Sequence, residues 1–82
     1  MQQLTLFRRE ACLLCALAEE LLRDQDLSYA TRDVESDPDL ETRYGARIPV
    51  VMRADGAELG WPFDTAALRN FVAVQRIGDP AG

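Results

Sequence analysis

Two short β-prone runs separated by a single helical stripe constrain this chain more than any other feature. Gln3–Phe7 alternates around Leu4 and Leu6, with Phe7 adding bulk, and reads as a strand. Leu27–Val34 carries Tyr29, Thr31 and Val34 and reads as a second. Between them, from Cys12 to Gln25, Leu14, Leu17, Ala18 and Leu21 recur at three- and four-residue spacing, and Leu22 widens the stripe. Glu19, Glu20, Arg23 and Asp24 fill the opposite, solvated side. Two strands joined through a helix must run parallel, with a right-handed crossover.

The rest of the chain adds to that unit. Ser36-Asp37-Pro38 marks a helix start, because Asp37 can cap free amides and proline suits the first helical position. This helix is short, running to about Tyr44, with Gly45 as a left-handed stop. Ile48–Met52 is a third strand. Asp55-Gly56 signals a two-residue hairpin turn into a fourth, Ala57–Leu59. Asp64 caps a last helix bearing Leu68, Phe71 and Val72. The expected fold is α/β, in the order β-α-β-α-β-β-α: a four-stranded mixed sheet with helices on both faces. Its 82 residues make one domain, 1–77, followed by a frayed tail, 78–82.

Charge and composition exclude several functions. Fourteen acids against nine bases, all nine of them arginine, leave a net charge of −5. That balance argues against nucleic acid or an anionic membrane as partner. No run approaches the ~20 apolar residues of a membrane span, and Met1–Arg9 lacks the pattern of a secretory signal. A cytoplasmic monomer is expected.

Only two cysteines are present, Cys12 and Cys15, spaced C-x-x-C where the first strand gives way to the helix. Unpaired amides and a partial positive charge at a helix start favour a thiolate. Three-residue spacing puts both sulfurs on one side of the first turn, close enough to bridge. Cys12, at the loop edge, is then the attacking thiol, and Cys15, inside the helix, resolves the mixed disulfide.

These residues are similar to those of the glutaredoxin family, particularly its short bacterial glutaredoxin-like members. The resemblance runs from Leu4 to about Val74. It rests on Cys12-Leu13-Leu14-Cys15 after the first strand, Ile48-Pro49-Val50 at the third, and Asp55-Gly56 with Gly60 around the fourth. It implies a thioredoxin-like fold of glutaredoxin type and a thiol–disulfide oxidoreductase acting on protein or small-molecule disulfides. It implies that the Ile48–Pro49 bond is cis and faces the cysteines, and that the Ile48 backbone pairs with bound peptide or glutathione. Arg9 takes the place of a basic residue three positions before the first cysteine, and Asp64 that of a polar contact to the glutathione amino group. The family also implies glutathione as co-substrate and a glutathione- or thioredoxin-type reducing system as partner, with no tightly bound cofactor. The chain departs from the family pattern at Leu13-Leu14, where Pro-Tyr is usual, at Arg47-Ile48, where Thr-Val is usual, and at Trp61, which replaces the second glycine of a Gly-Gly pair. A tryptophan side chain there opposes the approach of glutathione.

Other readings of the same residues stand beside these. Cysteines are often small buried hydrophobes. A C-x-x-C can be half of a zinc site, but with no histidine and no third cysteine the chain offers too few ligands, and no metal is expected. Arg8, Arg9 and Arg47 can be solvated, Asp64 only a cap, and Trp61-Pro62-Phe63 a cover for the core edge or a docking surface. Glu10 faces solvent, where its charge opposes a thiolate at Cys12. The second function class is a non-catalytic binding or redox-sensing module, since a fold does not decide chemistry.

Overall fold

The computed structural model describes residues 3–78. The elements are β1 (Leu4–Arg8), α1 (Leu13–Asp24), β2 (Tyr29–Asp33), α2 (Pro38–Tyr44), β3 (Val50–Met52), β4 (Glu58–Gly60) and α3 (Thr65–Gly78), with a 3₁₀ turn at Val34–Ser36. The sheet order is β2-β1-β3-β4. β1 pairs parallel with β2 and antiparallel with β3, and β3 pairs antiparallel with β4. The parallel pair and the hairpin are the two expected from the sequence. α3 reaches Gly78, so the first residue of the expected tail is helical; residues 79–82 lie outside the described residues.

Alternation along β1 divides the core. Leu4 and Leu6 point to one face, where Ala18 and Leu22 of α1, Val51, Phe63 and Leu68 of α3 bury against them. Phe7 points to the other, with Val34, Val50 and Tyr44 of α2. There the Phe7 and Tyr44 rings stack at 4.2 Å. Helices therefore cover both faces, α1 and α3 on one and α2 on the other.

Local chemistry sets the element ends. Asp37 caps α2 by accepting from the Asp39 amide at 2.9 Å, and Asp64 caps α3 by accepting from the Ala67 amide at 2.8 Å. α1 closes with the Asp26 amide on Arg23 O and the Leu27 amide on Leu22 O, with Asp26 at φ 55. This is a Schellman closure whose left-handed residue is aspartate rather than glycine.

Two turn expectations need correction. Gly45 is not left-handed: its φ is −51. Glycine is required there for space, because a Cβ would meet the Glu41 carbonyl and its folded-back carboxylate. The β3–β4 loop has three residues, not two. The Gly56 amide bonds Arg53 O, the Arg53 amide bonds Ala57 O, and Gly56 takes φ 93. That is a tight turn followed by a left-handed bulge residue.

α1 is also rotated from its expected setting. Its buried residues are Cys15, Ala18 and Leu22. Leu14 and Leu17, expected in the buried stripe, are 44% and 40% exposed, and Leu13 is 74% exposed. Glu19, expected in solvent, instead turns toward the sheet. It accepts from Tyr29 Oη at 2.7 Å and lies 3.1 Å from Arg8 Nε. Swinging Glu19 inward carries Leu13 and Leu17 outward, because they lie on opposite sides of the helix.

Candidate active site

Cys12 is the N-cap of α1. Its extended backbone (φ −111, ψ 110) lets its sulfur accept from the Cys15 amide at 3.2 Å. Sulfur thus takes the capping role usually filled by an oxygen, and a thiolate there receives a charge-assisted hydrogen bond. Ala11, just before it, sits at φ 56, a left-handed conformation uncommon for a residue with a Cβ. That kink turns the chain from β1 into the cap.

Both cysteines are free thiols, with Cys12 partly exposed and Cys15 buried. Burial is the main cause that pushes the Cys15 thiol up to about 11. A hydrogen bond to the Cys12 sulfur acts in the same direction, while the Arg9 backbone pulls the other way. At neutral pH Cys15 is therefore a protonated thiol beside the sulfur of Cys12. Of the two, only Cys12 is open to an incoming disulfide.

The other expected site residues divide. The Ile48–Pro49 bond is cis and Pro49 is fully buried. The Ile48 backbone is not the open edge expected, because its amide already donates to Tyr44 O at 3.0 Å. Half of the strand-like rung an extended substrate would use is filled by the last turn of α2. The Pro49 carbonyl likewise accepts from the Trp61 amide at 3.1 Å.

Arg9 is not a free base for an anionic ligand. Its terminal nitrogens donate to Glu35 Oε2 (2.9 Å), to both Glu41 carboxylate oxygens (3.0 Å each) and to Gly45 O (3.1 Å). This clamp ties the loop bearing Cys12 to α2. The side chain of Asp64 is engaged in capping α3. Trp61 packs edge-on to Phe63, with centroids 5.1 Å apart, on the rim of the α1–α3 core. The Trp61–Pro62 bond is also cis. Pro62, Phe63, Asp64 and Ala67 line a shallow hollow of about 410 Å³.

Sequence reasoning missed two features of the site. One is the Arg9 clamp, whose acids lie 26 and 32 residues away along the chain. The other is the exposed leucine face of α1. No sequence signal marked it, because Glu19 meets Arg8 and Tyr29, from β1 and β2, only in the folded chain.

A family model described as a glutaredoxin-like domain matches residues 3–73. The chain belongs to this glutaredoxin-like family. The target protein XcR50 from X. campestris is 38% identical in its X-ray structure, with a TM-score of 0.82 over 87% of this chain and 96% of that one. Its solution structure gives a TM-score of 0.80, covering 87% and 92%. The thioredoxin-like protein BC3987, at 22% identity, has a TM-score of 0.62 over 82% and 96%, and shares the fold. No curated protein matches. As a glutaredoxin-like protein the chain has the thioredoxin-like architecture expected from its motifs, with Cys12 and Cys15 on the first turn of α1. Among the described residues, no helix is long and apolar enough to cross a membrane.

Proposed function

We propose that this glutaredoxin-like protein is a thiol–disulfide oxidoreductase in which Cys12 attacks and Cys15 resolves. The observation that carries this is the asymmetry of the pair: a partly exposed sulfur capping the helix beside a fully buried thiol. The Cys12 thiolate attacks one sulfur of a disulfide, forms a mixed disulfide and releases the first thiolate, which takes a proton from water. Cys15 then loses its proton, attacks the Cys12 sulfur and releases the second thiolate. Two electrons pass to the substrate, leaving a Cys12–Cys15 disulfide, and a thiol reductant, a dithiol protein in preference to glutathione, returns them.

A raised Cys15 thiol suits this order. It stays protonated while Cys12 attacks, and it becomes a strong nucleophile once deprotonated. Two cysteines are too few for a disulfide scaffold, and a reducing, cytoplasmic setting is part of this proposal. Glutathione is a poor co-substrate in this account, because Trp61 occupies the second glycine position and Arg9 is already bonded.

The test is trapping. Cys15→Ser should accumulate a mixed disulfide with an added disulfide substrate, whereas Cys12→Ser should form none. Capture by Cys12→Ser alone would reverse the roles. Capture by neither, with no turnover in coupled glutathione and thioredoxin assays, would leave a binding or sensing module.

A further inference from the structure

We propose that the exposed leucine face of α1 is the docking surface for a protein disulfide whose reacting cysteine is flanked by apolar residues and then by basic ones. This rests on the oxidoreductase reading above and names its substrate class.

Bond geometry decides what covers the leucines. A disulfide holds its two Cα atoms about 5.5–6 Å apart. Leu13 follows Cys12 directly, at about 3.8 Å between Cα atoms. Leu17 lies one turn further along the same side. A chain whose sulfur bonds to Cys12 therefore has its flanking residues within reach of this part of the helix. What they meet is apolar: Leu13, Leu14 and Leu17 are the large hydrophobics left exposed among the described residues, and all three lie within five residues of Cys12.

Charge then selects the partner. Further down the same side of α1 come Glu20 and Asp24, both exposed and without a partner among the described residues. Glu10, on the loop before Cys12, is also exposed and unpaired among them. Arg9 is held by Glu35 and Glu41 and Arg47 by Glu58, while Arg8 has Glu19 beside its Nε. Against a small thiol with two carboxylates stand the three exposed acids Glu10, Glu20 and Asp24. A segment with apolar residues beside its cysteine and arginines or lysines a turn further on meets leucines first and carboxylates next. Burying the leucines contributes in proportion to the apolar area covered, and the acids speed encounter with a basic segment.

The probes are two disulfide-linked synthetic peptide dimers and oxidised glutathione. Both dimers carry arginines, but one has Leu-Val beside the cysteine and the other Gly-Ser. The rate of oxidation of the reduced full-length protein is followed by mass spectrometry. The Leu-Val dimer should react about tenfold faster than the Gly-Ser dimer, the discrimination that burial of part of a leucine gives. In a Leu13→Gln/Leu17→Gln double variant this ratio should fall toward one. Glu20→Gln/Asp24→Asn should slow both arginine dimers while keeping their ratio.

Equal rates for the two dimers, or faster reaction with oxidised glutathione, would overturn the docking proposal while leaving the dithiol chemistry in place. A reduced protein that sediments as a dimer, and as a monomer once Leu13 and Leu17 are replaced, would assign the face to a second copy and also overturn it. Docking is read separately in Cys12→Ser, where the reduced Leu-Val peptide should shift the amide signals of Leu13, Leu14 and Leu17. Shifts without any exchange in the wild type would retire the oxidoreductase reading and keep the surface. Their absence counts against the surface whatever the chemistry does.

Discussion

The two sides of α1 carry the same kind of residue in opposite settings. Inward, Cys15, Ala18 and Leu22 are wholly buried, the last two against β1 and α3. Outward, Leu13 and Leu17 stand in solvent one turn apart. The inner side uses two small residues and one leucine, which lets the helix lie close to the sheet. The outer side has apolar bulk that the fold does not use. On the proposed dithiol chemistry, exposed leucines beside Cys12 are explained by what its sulfur would approach.

That contrast can be broken by substitution. The largest effect should come from Leu22→Ala, which opens a cavity in the core between β1 and α3. A loss of about 2–5 kcal/mol in chemical denaturation is expected for truncating a buried leucine. A much smaller loss would mean that the helix is not seated as described. Glu19→Gln comes next. It keeps an oxygen for Tyr29 but removes the charge facing Arg8 and Arg23. Because these groups are partly exposed, the expected loss is about 0.5–1.5 kcal/mol, measured by the same unfolding curves. Raising the salt concentration should shrink the difference between wild type and Glu19→Gln. The smallest effect belongs to Leu17→Ala, whose stability should stay within about 0.5 kcal/mol of wild type, as for exposed positions without special contacts. A loss comparable to that of Leu22→Ala would place Leu17 in the core and erase the contrast.

The same contrast marks where the sequence was legible. Alternation in β1, Tyr29 and Thr31 in β2, Asp37-Pro38 and Asp64 located the strands and helices within a few residues, since each signal is local. The cysteine spacing marked the candidate site for the same reason. The rotation of α1 was not legible, because leucine falls on both sides and periodicity alone cannot rank one leucine against another. What decides it is Glu19, whose partners Arg8 and Tyr29 come from β1 and β2 and are joined to it only by folding. Arg9 was ambiguous for a related reason. Its partners Glu35 and Glu41 come from the far side of the β-α-β unit, so the residue looked equally like a solvated loop base or a ligand contact. Gly45 was recognised as a stop but for the wrong cause, since the crowding comes from the Glu41 carbonyl one turn back and from the Glu41 carboxylate that Arg9 holds.

The asymmetry between the two thiols is the central claim, and differential alkylation of the reduced protein across pH tests it most directly. Burial raises the Cys15 thiol to about 11, above the ordinary cysteine value of about 8.5. Its neutral form is therefore favoured by the fold. The associated stability is fully present below the unfolded value and is lost as pH climbs through the folded one. With iodoacetamide and site-resolved mass spectrometry, Cys12 should be modified first throughout the neutral range. Cys15 should stay unmodified there, reacting only as the pH approaches 11 or after denaturant is added. Modification of Cys15 at the same rate as Cys12, or ahead of it, near pH 7–8 would contradict the assignment of an exposed attacking sulfur and a buried resolving one.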